Sequence, residues 1–111
     1  MAKSKTSLGE LEQLVLLAVL RLGDEAYAVS IGEELHAEAG LDVARGSVYV
    51  TLDRLERKGY LSSRFGDPTP ERGGKSKRYF KVTQTALPLL RSAQHALQNL
   101  WEGVDLGSEK A

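Results

Sequence analysis

Three observations predict a mainly α-helical domain with a small β-hairpin. Apolar residues recur at helical spacing in four separate stretches. Two short alternating stretches, 60–66 and 77–82, fall between the third and the fourth. The ten residues joining them, "DPTPERGGKS", carry two prolines, two glycines and four charges, as a solvated turn does. At 111 residues the chain suits one domain with a modest core. Its 41% hydrophobic and 27% charged content is ordinary for a globular chain and argues against global disorder.

Residues 8–22, "LGELEQLVLLAVLRL", read as the first helix. Leu8, Leu11, Val15, Ala18 and Leu22 form one stripe. Leu16 and Leu20 form a second, and Leu14 and Leu17 widen it. A helix apolar on so many sides, in so small a domain, is expected to meet a second subunit as well as its own core. Gly23-Asp24-Glu25 reads as a turn. A second helix follows over 27–39, with Tyr27, Ile31 and Leu35 four apart and Gly40 placed as a C′ glycine. The third helix spans 45–58, with Val48, Leu52 and Leu55 on its inner face and Gly59 ending it. Ala44 and Arg45 stand where a capping Ser, Thr, Asp or Asn is expected, and neither can cap. Asp42 or Ser47 is the nearest substitute. Thr83 is expected to cap a last helix from 84 to about 102. Pro88 would be its fifth residue and would kink the first turn.

Helix, helix, helix, hairpin, helix is the layout of a winged helix-turn-helix followed by a C-terminal helix. The expected division is a winged helix-turn-helix over 1–82, with its wing at about 61–82, and a dimerisation helix and tail over 83–111. The Leu14–Leu20 run is too short to span a membrane, and no signal-peptide pattern opens the chain, so a soluble, cytoplasmic protein is expected.

Formal net charge is zero, but the charges are segregated. Residues 8–41 hold seven acidic side chains and one basic; residues 42–82 hold ten basic and five acidic. A basic middle suits an anionic partner, and double-stranded DNA is the expected one. With Val48, Leu52 and Leu55 taken by the core, the third helix is expected to present Ser47, Val50, Thr51 and Arg54 outward, with Tyr49 and Arg57 at the margins. Ser47 and Thr51 can hydrogen-bond to phosphate or a base edge, and Val50 can pack on a thymine methyl. Arg45, Arg54 and Arg57 suit phosphate or guanine. The plain alternative is surface pairing of the arginines with Asp53 or Glu56. In the hairpin, Arg72, Gly73, Gly74, Lys75, Lys77 and Arg78 form a basic, glycine-bearing wing suited to phosphate or minor-groove contact.

"GSVYVTLDRLERKGYLSSRFGDPTPERGGKSKRYFKVT" (46–83) resembles the DNA-binding domain of PadR-like transcriptional regulators. The specific parts are Gly46, Tyr49, Leu52, Arg54, Leu55, Glu56 and Gly59 in the helix, and Gly73-Gly74 with Lys77-Arg78-Tyr79-Phe80 in the wing. "GDEAYAVSIGEEL" (23–35) is similar to the family's second helix. Ala44 and Val50 depart from it, since a capping Ser or Thr and a Pro are common there. The resemblance implies a homodimeric repressor on a palindromic operator. Its last helix would pack on the partner subunit, with Leu11, Val15, Leu97, Leu100 and Trp101 at the interface. It also implies a small aromatic effector bound near Trp101, the chain's one tryptophan. The alternative for Trp101 is simple packing. A winged-helix module that binds protein rather than DNA is the alternative for the whole chain.

An enzyme is not expected. Cysteine is absent, and His36 and His95 lie on different helices without ligand-spaced neighbours, so neither a metal nor a cofactor is expected. Gly73-Gly74-Lys75-Ser76 lacks the spacing of a phosphate loop.

Overall fold

The computed structural model describes residues 8–67 and 76–107. Helix α1 runs Glu10–Leu22, α2 Ala28–Ala39 and α3 Arg45–Arg57. Strands β1 (Leu61–Phe65) and β2 (Arg78–Val82) follow, and α4 runs Ala86–Trp101. A single 3₁₀ turn, Gly23–Glu25, joins α1 to α2. The expected mainly helical fold with an antiparallel hairpin is the observed one. Among the described residues no helix is long and apolar enough to cross a membrane.

The core gathers one side of each early element. Val15, Leu16 and Val19 of α1 meet Ile31 and Leu35 of α2, Val48, Leu52 and Leu55 of α3, and Leu61 and Phe80 of the hairpin. Gly40 ends α2 in the left-handed region, at φ 67°, where its N–H donates to His36 O. That conformation is cheap only without a Cβ. The hairpin pairs Leu61 with Val82, Ser63 with Phe80 and Phe65 with Arg78. Strand alternation puts these six residues on one face of the sheet, and Ser62, Arg64, Tyr79 and Lys81 on the other. The segment before α2 adds a short third edge: Tyr27 bridges Tyr79, and Phe80 N donates to Ala26 O at 2.9 Å. Tyr27 therefore precedes α2 rather than opening it.

Three expectations need correction. Thr83 does not cap α4: its hydroxyl donates to Gly59 O at 2.7 Å, tying the end of the wing to the end of α3. The helix starts at Ala86 instead, and Pro88 is its third residue. A helix leaves its first N–H groups without an intrahelical partner, so this proline removes no bond. Finally, Val15 cannot serve a dimer interface, because it is wholly buried in its own subunit. Leu11 is half-buried and packs toward α3. The bare apolar side of α1 is that of Leu17 and Leu20, both nearly half exposed.

Candidate nucleic-acid interface

The N-terminus of α3 is open. No side chain caps it, and the first N–H bonded within the helix is that of Val48, which donates to Ala44 O. The substitute caps do not act: Asp42 Oδ1 lies 2.7 Å from His36 Nδ1. Arg45, Gly46 and Ser47 are exposed. A missing cap costs the isolated fold about 1 kcal/mol. It also leaves three backbone donors at the positive end of the helix dipole, beside the Arg45 side chain, in the arrangement that accepts a phosphate.

Beyond that turn, α3 exposes Tyr49, Val50 and Arg54 and buries Val48, Leu52 and Leu55. Ser47, Val50 and Arg54 border a shallow groove closed on one side by Leu11 of α1. Thr51 is a correction. It is only 3% exposed, and its hydroxyl donates to Ser47 O at 2.8 Å. The back-bond satisfies the hydroxyl inside the core, so Thr51 has no donor left for a base edge.

The sequence reading missed Glu12. Its side chain is buried on α1, yet it reaches α3: Lys58 Nζ donates to Oε2 at 2.8 Å, and Arg54 Nη1 lies 3.9 Å away. Gly9 N donates to Oε1 at 2.9 Å, closing the first turn of α1. Burial pushes the Glu12 pKa up. The hydrogen bonds from Lys58 and Gly9, with the charges of Lys58 and Arg54, more than offset this and hold it below its ordinary 4.5. Glu12 thus anchors α3 to α1 from the side opposite the wing. The one visible signal was its place three residues after Gly9, where a carboxylate reaches back to the helix start.

The wing's bases are not equally free. Lys77 Nζ sits 4.3 Å from the centre of the Tyr27 ring, and Arg64 stacks 4.8 Å from that of Tyr79. The two rings meet edge to face at 5.7 Å. Gly66 makes room for this, because a Cβ there would come within 2.8 Å of the Tyr79 ring. Arg78 reaches toward α3, where Asp53 and Glu56 take its guanidinium, and it stays about one-third exposed. Arg72, Gly73, Gly74 and Lys75 lie outside the described residues.

Helix α4 leaves the core early. Ala86 is buried and Leu90 packs on the core, but Leu97, Leu100 and Trp101 are 53–75% exposed. With Val104 they line an open apolar hollow of about 170 Å³.

This arrangement has known counterparts. The family model described as the transcriptional regulator PadR-like family matches residues 16–86. A PadR-like transcription factor from Bacteroides fragilis is 31% identical, with a TM-score of 0.66 over 83% of this chain and 84% of that one. A PadR family transcriptional regulator from Eggerthella lenta is 29% identical, with a TM-score of 0.64 over 85% of this chain and 81% of that one. A transcriptional regulator from Clostridium thermocellum shares the fold at 17% identity, with a TM-score of 0.69 over 83% and 86%. No curated protein matches the chain significantly.

Proposed function

Because this chain belongs to the PadR-like family of transcriptional regulators, DNA-binding proteins and not enzymes, we propose that it is a homodimeric repressor of a palindromic operator. One observation carries this reading: an uncapped, exposed helix start set beside Arg45, Ser47, Tyr49, Val50 and Arg54, on a helix whose other side is buried. In the proposed complex the open N–H groups and Arg45 hold phosphate. Ser47, Tyr49, Val50 and Arg54 meet base edges or sugar in the major groove. Lys77 and the wing-tip residues Arg72, Gly73, Gly74 and Lys75 follow the flanking backbone.

The bare apolar faces support the dimer. Leu17 and Leu20 of α1 and Leu97, Leu100 and Trp101 of α4 leave a large apolar surface uncovered in a single subunit. Burying it against a second copy would set two α3 helices one turn of DNA apart, roughly 34–36 Å. We further propose that a small aromatic effector lodges beside Trp101, for which the apolar hollow is the support. It would release DNA only by binding the non-binding dimer geometry more tightly.

Fluorescence anisotropy of DNA from upstream of the protein's own gene, titrated at two salt concentrations, tests the reading. Binding tighter than to scrambled DNA and steeply weakened by salt is expected. Weak binding, equal on both duplexes and insensitive to salt, overturns it in favour of a protein-binding module.

A further inference from the structure

Arg78 looks, in sequence, like another phosphate ligand of a basic wing. Its surroundings argue otherwise. It shares a sheet face with Ser63 and Phe80, the face turned toward α3. Nε donates to Ser63 Oγ at 3.2 Å, Nη1 to Asp53 Oδ1 at 3.3 Å, and Nη2 to Glu56 Oε1. Ser63 Oγ in turn donates to Glu56 Oε2 at 2.8 Å, so both oxygens of Glu56 are satisfied. The guanidinium also lies 5.0 Å over the Phe80 ring. All three of its nitrogens are therefore committed within the protein, in the planar fork that only arginine provides.

The partners matter as much as the geometry. Asp53 and Glu56 are the only two acidic residues of α3. Left alone they would hold two negative charges at the edge of a helix proposed to lie against phosphates. On the DNA-binding reading above, we propose that Arg78 is a positioning residue: it touches no phosphate, but clamps the hairpin to α3 and offsets one of the two negative charges of Asp53 and Glu56. Glu12 with Lys58 does the corresponding work on the opposite side of the helix. Arg78 thereby fixes the angle between wing and α3, on which simultaneous contact with groove and flanking backbone depends.

The test has a DNA-free arm and a DNA arm. In the free protein, amide hydrogen exchange in β1 and β2 should quicken in Arg78→Ala and stay unchanged in Arg45→Ala. On operator DNA, the slope of log affinity against log salt counts phosphate contacts, at about 0.9 per contact. Arg45→Ala should lower that slope by about this amount. Arg78→Ala should weaken binding about tenfold, because the Asp53 and Glu56 carboxylates are then left to repel phosphate, while leaving the slope as in wild type. Neutralising the orphaned acids in the same chain, with Asp53→Asn and Glu56→Gln, should restore most of the affinity.

Should Arg78→Ala fail to fold, Arg78→Lys decides. A phosphate ligand tolerates lysine, whereas a clamp that needs the fork does not, so affinity should still fall at unchanged slope. A slope lowered as in Arg45→Ala, no recovery on neutralising the acids, or unchanged exchange in the hairpin would each overturn the proposal. Absence of salt-sensitive operator binding by the wild-type protein would sink the DNA-binding reading instead, and the exchange arm would still judge the clamp.

Discussion

Helices α3 and α4 are both amphipathic and similar in length, yet they dispose of their apolar residues in opposite ways. In α3, Val48, Leu52 and Leu55 are at most 2% exposed, and the polar face is left to water. In α4, Leu97, Leu100 and Trp101 are more than half exposed, and only the first turns touch the core. Propensity alone does not hold so bare a helix in water, since helical stability in proteins comes mostly from a packed apolar face. The difference separates two jobs. Packing within the subunit fixes the helix proposed to read DNA. Packing between subunits, on the proposed dimer, would fix how far apart two such helices stand.

Mutations of like chemistry in the two helices should therefore have unlike effects. Leu52→Ala removes a fully buried side chain, and a loss of about 3 kcal/mol is expected in urea or thermal unfolding. Leu100→Asp should barely move the unfolding midpoint of dilute protein. It should raise the dimer dissociation constant roughly thirtyfold, about 2 kcal/mol, in sedimentation equilibrium. Equal loss of single-subunit stability in both variants would erase the contrast.

The comparison sharpens at the ion pair that holds α3 in place. Glu12→Gln leaves Lys58 without its buried partner and should cost about 1–2 kcal/mol at neutral pH. The folded state lowers the Glu12 pKa, so the stabilisation is complete above the unfolded value and is lost as pH falls through the folded one. The gap between wild type and variant should accordingly close below about pH 4.5. A gap independent of pH would mean that packing, not charge, is what the variant lost. The smallest effect is expected at Thr51. Thr51→Val should cost under about 1 kcal/mol and leave operator affinity within about twofold, because the hydroxyl bonds its own helix. A tenfold loss of affinity would return Thr51 to the outer face.

Thr51 also shows where sequence reasoning slips. Positions 48, 51, 52 and 55 are spaced as one continuous helical stripe, so the period put Thr51 in the core. Its polar side chain suggested the outside instead. A hydroxyl can return to the carbonyl four residues back, which makes its burial cheap. Thr83 misled for a related reason: the residue suits a cap, but Gly59 O was the nearer acceptor. Arg78 and Glu12 were illegible in another sense. Their partners are distant in the chain: Arg78 lies 22 residues from Glu56, and Glu12 lies 46 from Lys58. No local pattern carries such pairs. The wing's basic charge was visible in sequence, but not that one of its arginines reaches toward α3.

What could be read from the chain is whatever depends on near neighbours. The four helices follow from apolar spacing, their ends from Gly40 and Gly59, both at positive φ, and the hairpin from alternation around a proline- and glycine-rich loop. The likeness to a family rests on the same local patterns. Folding back the chain decided the rest: which side of α1 is left bare, which threonine is buried, which arginine faces carboxylates. These depend on distances between residues far apart in sequence, and charge and hydrogen-bond energies are set by those distances rather than by residue type.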